Sequence, residues 1–183
     1  MSAGLPSWVL TLHWPVENSA PGHRYLASVS RVSLDLVAVA LLLGLGGWLS
    51  VIDWREHRLP NRLTLPLFAA LTTVLTLAAA IDGSWLRWGG ALLGAAALSG
   101  FYLLLALMPA GMGMGDVKFA LSIGLLCGWW SLDAWLLGLI LPFVIGGFVG
   151  LGAVVLRLRR LRDQIAFGPL MFIGWLMVAV LHG

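Results

Sequence analysis

The apolar positions of this chain fall into six runs separated by short polar stretches: residues 32–52, 63–81, 89–108, 117–130, 134–156 and 167–181. A hydrocarbon core about 30 Å thick takes about 20 apolar residues in helical form, within a range of about 17–25. Four of the runs meet that length. The fourth and sixth are shorter and cross only by starting deep or by borrowing flanking residues. The pattern predicts an all-α polytopic membrane protein with about six transmembrane helices.

Composition agrees with the pattern. Of 183 residues, 60% are hydrophobic and only 10% charged, against roughly 25% charged in soluble domains, and the mean hydropathy is +0.96. The lipid bilayer is therefore the expected partner. A net charge of +3 is too small to point to nucleic acid, and its placement tells more than its sum. Arg55, Arg58, Arg62, Lys118, Arg157, Arg159, Arg160 and Arg162 fall on one side of six alternating spans, and Arg24, Arg31 and Arg87 on the other. The excess of Lys and Arg marks the cytoplasmic side. It puts the 53–62, 109–118 and 157–166 loops in the cytoplasm and both termini outside.

Residues 1–31 read as an external tail, with Trp8 and Trp14 suited to the membrane interface. The apolar stretch there is too short to span and lacks the basic start and small-residue cleavage site of a secretory signal. Residues 32–183 then form one six-helix membrane domain. A single cysteine, Cys127, inside an apolar run allows neither an intramolecular disulfide nor a CxxC metal site, and no metal or cofactor is expected. Glycines recur four apart at Gly90 and Gly94, Gly124 and Gly128, and Gly146 and Gly150. Such spacing lets helices approach closely in lipid.

Charge near the bilayer is costly, about 2.5–3.5 kcal/mol at mid-helix, and persists where it is paired or functional. Of eight acids, Glu17, Asp82 and Asp133 sit in external loops, and Glu56 and Asp163 lie among arginines. Asp35 is about one turn inside the first helix, near its outer end, where a side chain reaches the headgroups. Asp53 and Asp116 remain. Asp53 closes the first span and Asp116 opens the fourth, so both belong at one membrane depth on the cytoplasmic side.

Two carboxylates sharing a site oppose double ionisation and retain one proton between them. One partner then takes a proton from water while the other donates to a carbonyl oxygen, the chemistry of aspartic peptide hydrolysis. Asp53, at the negative end of its helix dipole, is expected to hold the proton, and Asp116, at a positive end, to ionise. Asp116 follows Gly113-Met114-Gly115. Glycines there permit positive φ and close backbone approach, as a loop receiving an extended peptide requires. The plain structural reading is a glycine-rich turn with Asp116 as N-cap.

Three ordered segments carry a family likeness: "DWREHRLPNRLTLPL" from Asp53, "GMGDVKFALSIGLLCG" around Asp116, and "IAFGPLMFIG" with Phe167-Gly168-Pro169. Together they resemble the type IV prepilin peptidase family, membrane aspartic proteases of the GxGD type. The resemblance implies a polytopic helical fold with Asp53 and Asp116 as the catalytic pair. Gly113, Gly115 and Lys118 carry over as motif residues, Lys118 in a headgroup-anchoring position. It also implies cleavage of the basic leader from a prepilin or pseudopilin ahead of an apolar helix, at the cytoplasmic face of a prokaryotic plasma (inner) membrane. Bifunctional members carry a cytoplasmic insert with paired CxxC motifs and methylate the new N-terminus. One cysteine and no large cytoplasmic loop match instead the compact form, and speak against zinc and N-methylation. The rival readings are another leader peptidase, such as a preflagellin peptidase with the same acid pair, a transporter or channel passing protons or cations, and a structural membrane subunit.

Overall fold

The computed structural model describes residues 33–56, 60–108, 112–155 and 166–182, the side chains of 61, 153 and 154 excepted. The expected tail at 1–31 lies outside the described residues, as do Arg58, Gly111 and the arginines of the 157–166 loop. Among the described residues there are six helices: α1 (Ser33–Glu56), α2 (Asn61–Asp82), α3 (Trp85–Ala106), α4 (Met114–Trp130), α5 (Leu132–Val155) and α6 (Gly168–His182). Among the described residues there is no strand. Each helix overlaps one of the six apolar runs. Four of them, α1, α2, α3 and α5, are long and apolar enough to cross a membrane, while α6 is a shorter apolar helix. The 17 residues of α4 stand at the short end of the spanning range.

The shortness of α4 goes with its place in the bundle. From Ser122 to Cys127 every residue is buried, as are Val117, Phe119, Ala120 and Trp129, and α4 packs against α2, α3, α5 and α6. A helix apolar on all sides belongs at the centre of its bundle. The outer helices turn large side chains outward, Leu86, Leu93, Phe148 and Val180 among them. In lipid that exposure has no hydrophobic cost, and association rests on close packing and interhelical hydrogen bonds.

The closest packing is between α3 and α4. A Cβ placed on Gly94 would stand 2.6 Å from Gly124 O, one on Gly124 2.5 Å from Gly94 O, and one on Gly128 2.7 Å from Gly90 O. The four-residue glycine spacings therefore mark a seam where two backbones touch. Hydrogen bonds fasten the seam and its neighbours: Ser99 Oγ donates to Val117 O (3.0 Å), Trp135 Nε1 to Gly94 O (2.9 Å) and Trp88 Nε1 to Thr76 Oγ1 (2.9 Å). A second tight crossing joins α5 and α6, where a Cβ on Gly174 would meet the Pro142 ring at 2.9 Å. Pro142 and Pro66 both lie inside helices, which neighbouring helices make tolerable in a membrane bundle.

Asp35 marks one end of the bundle. Its Oδ1 accepts the indole N–H of Trp129 at 2.9 Å, while Arg87 lies over the Trp129 ring at 4.6 Å and donates from Nε to Trp129 O at 3.3 Å. The start of α1, the start of α3 and the end of α4 thus share that end. Asp35 has a structural role, as its place near a helix end suggested, but its described partner is a tryptophan on another helix.

Close backbone contact makes the glycine seam intolerant of any side chain. Gly124→Ala is expected to destabilise the protein by about 1–3 kcal/mol or more. Gly100→Ala, on α3 with nothing within 4 Å of its Cβ, is expected to be neutral or slightly stabilising. Thermal unfolding of both variants in detergent checks the contrast.

Candidate active site

At the opposite end of the bundle, the inner face of α1 runs through Ala38, Leu42, Gly46, Leu49, Ser50 and Asp53, all buried. The first three stand four apart, a spacing longer than the 3.6-residue period, so a regular helix would turn them progressively off the inner face. A π-helical segment, Leu42–Gly46, supplies a wider turn there and brings Asp53 back toward the interior. Ser50 Oγ donates to Gly46 O at 2.8 Å and ties the turn that follows.

Asp53 is 5% exposed and lies three residues before the end of α1 instead of closing it. Its Oδ2 accepts the backbone N–H of Gly168, 115 positions later, at 2.9 Å. Gly168 is the first residue of α6, so this N–H is one of the four that no helical carbonyl satisfies. A Cβ on Gly168 would lie 2.8 Å from Asp53 Oδ2 and 3.2 Å from its Cγ. No side chain fits there. Pro169 follows at a first-turn position, where its missing N–H costs little.

Asp116 is 7% exposed and stands in the first turn of α4, three residues after the N-cap, which is Gly113. The expected capping role thus belongs to Gly113 and not to Asp116. The Asp116 N–H donates to Gly113 O at 3.1 Å, and its carboxylate receives the Gly113 N–H in return, a reciprocal arrangement like a capping box. Gly113 has φ −67° and ψ 144°, a conformation open to any residue. Among the described glycines only Gly83 has positive φ, so Gly113 has no need of glycine's conformational freedom. What it leaves is room: a Cβ there would sit 3.6 Å from Asp116 Oδ2. Gly115 and Lys118 follow in α4, both half-buried.

Asp53 and Asp116 lie within electrostatic reach of each other. Asp116 Oδ1 is buried without a hydrogen-bond partner. Three neighbours were not singled out as site residues by the sequence. Gly168 is the donor to Asp53. Tyr102, near the end of α3, is fully buried and in electrostatic reach of Asp116. Phe167 lies 6.0 Å from the Tyr102 ring and 5.3 Å from Phe143. Gly168 and Phe167 had a signal in the FGP segment. Tyr102 had none, since one tyrosine in an apolar run is indistinguishable from packing. Among the described residues no three of His, Cys, Asp or Glu stand together as a metal-ligand set.

Beside Asp53 a cleft of about 610 Å³ opens between α1 and α6, lined by Ser50, Val51, Trp54, Arg55, Pro169 and Phe172 among others. It follows the helices from Arg55 and Pro169 toward Gly47 and Ile173.

Residues 38–152 match the model of the type IV leader peptidase family. The chain belongs to that family. It is 34% identical over 175 residues to a prepilin leader peptidase/N-methyltransferase of Aeromonas hydrophila, covering 90% of this chain and 52% of the relative. A protein of the same name from Escherichia coli K12 is 36% identical over 143 residues, 69% of this chain and 55% of the relative. One from Pseudomonas putida is 33% identical over 167 residues, 87% and 53%. The chain spans about half the length of these curated relatives. No solved structure matches. The matched region contains Asp53, Asp116 and Tyr102, and Gly168 lies beyond it.

If Gly168 is barred from carrying a side chain by Asp53 itself, the two positions are energetically coupled. Gly168→Ala is expected to destabilise by about 1–3 kcal/mol, and by less in an Asp53→Ala background. A double-mutant cycle of unfolding free energies measures the difference.

Proposed function

We propose that the chain is a membrane-embedded aspartic endopeptidase that removes the basic leader from a type IV prepilin or pseudopilin. The observation that supports this reading is the burial of Asp53 and Asp116, from α1 and α4, within electrostatic reach of each other, with backbone donors from α4 and α6. Gathering of both acids at one end of the bundle suits a bond presented at a membrane face better than passage of an ion through the midplane. The excess of Arg and Lys in the loops at that end supports the cytoplasmic face. Family membership and relatives named for prepilin cleavage support the substrate class.

The pair shares one proton. From sequence, the dipoles of α1 and α4 together placed it on Asp53. In the fold, Asp53 also meets the positive N-terminus of α6 and accepts its N–H, an arrangement that stabilises a carboxylate. Asp116 Oδ1 has no donor facing it, as suits the protonated oxygen. In the reaction Asp53 takes a proton from water as its oxygen bonds to the peptide carbon, and Asp116 gives its proton to the carbonyl oxygen. The carbon–nitrogen bond then breaks, the Asp53 proton passes to the departing nitrogen, and a proton from the tetrahedral carbon's hydroxyl returns to Asp116. The cleft between α1 and α6 is lined by Trp54 and Pro169, the chain neighbours of Asp53 and Gly168, and its apolar walls suit the apolar helix behind the leader.

Asp53→Asn and Asp116→Asn are each expected to lower leader removal by about 10²–10⁴-fold, the usual contribution of a general acid or base. The assay is cleavage of candidate prepilins and pseudopilins by the purified protein in detergent or proteoliposomes. Cleavage that survives either replacement unchanged contradicts the proposal.

A further inference from the structure

Two buried polar atoms at the site lack a partner, Asp116 Oδ1 and the Tyr102 hydroxyl. A buried hydroxyl without a hydrogen bond is unfavourable, and natural interiors rarely leave one without a reason. Tyr102 is held as a positioned group would be. It is fully buried, and its ring lies against Phe101, Phe143 and Phe167 at 6.0, 5.7 and 6.0 Å between centroids. Phe167 directly precedes Gly168, whose N–H fixes Asp53. The aromatic cluster therefore ties the tyrosine to the same backbone that holds the acid pair. Phenylalanine would pack equally well in that cluster, so packing does not account for the hydroxyl.

We infer that the Tyr102 hydroxyl is a second hydrogen-bond donor to the carbonyl oxygen of the scissile peptide, acting beside Asp116. This rests on the aspartic reading above. A neutral Asp116 and a phenol are both donors, and neither finds an acceptor among its neighbours. A peptide carbonyl oxygen has two lone pairs and takes both. As water adds to the carbon, negative charge grows on that oxygen until the Asp116 proton reaches it. The phenol stabilises the growing charge without transferring its own proton. A donor fixed in a buried site acts there without reorganisation, and the rigid ring supplies that fixity.

Tyr102→Phe removes only the hydroxyl and leaves the ring contacts. Loss of one such donor is expected to lower kcat by about 10²–10³-fold, with KM changed by less than about threefold, as for an interaction made in the transition state alone. Thermal unfolding of the substrate-free variant is expected at or above the parent's, since an unpartnered buried group has been removed. Retention of kcat within about threefold overturns the inference. So does a rise in KM with kcat unchanged, which assigns the hydroxyl to ground-state binding, or a fall in stability, which gives it a structural partner. Asp53→Asn and Asp116→Asn in the same assay separate the two claims. If they abolish cleavage while Tyr102→Phe does not, only the tyrosine inference fails, whereas cleavage by the Asp variants removes the reading beneath it.

Discussion

The contact between the first residue of α6 and the carboxylate of Asp53 governs the arrangement of the site. At 2.9 Å the Gly168 N–H meets Oδ2, and the space a side chain would need is already filled by the Asp53 carboxyl. A charged group buried in a membrane bundle is unfavourable unless compensated, and a helix N-terminus provides both an unpaired donor and a positive dipole end. The same contact sets the depth of α6 relative to α1. It thereby fixes the cleft between them and, through Phe167, the position of Tyr102.

The second acid depends on the glycine seam. α4 reaches the site because Gly94, Gly124 and Gly128 allow backbone contact with α3, and Ser99 anchors the first turn of α4 through Val117 O. The seam that delivers Asp116 delivers Tyr102 as well, one from each of the two helices it joins. Packing in lipid and the placement of Asp116 and Tyr102 are thus linked through the same pair of helices.

All six helices were legible in the sequence, because apolar runs of that length have few other meanings. The placement of Asp53 and Asp116 at one end of the bundle was legible too, because a carboxylate at a span end is rare enough to be noticed. Three features were not. The π segment in α1 is a response to tertiary packing, and its leucines and glycines carry no mark of it. Which property of Gly113 is used was not legible, because close approach and positive φ read identically in sequence, and the fold has φ −67° there. The expected proton placement counted only the dipoles of the two helices that carry the acids. The N-terminus of α6 enters that balance only once the chain is folded, from 115 positions away.

The central claim is that Asp53 and Asp116 face each other in one site. The most direct test joins them covalently: Asp53→Cys with Asp116→Cys, in a Cys127→Ser background that removes the chain's one native thiol, treated with a short bifunctional thiol reagent in the folded protein. The account predicts a link between residues 53 and 116 after proteolysis, formed without dependence on protein concentration. Single-cysteine proteins that react with a monofunctional reagent, beside a double variant that forms no link, would contradict it.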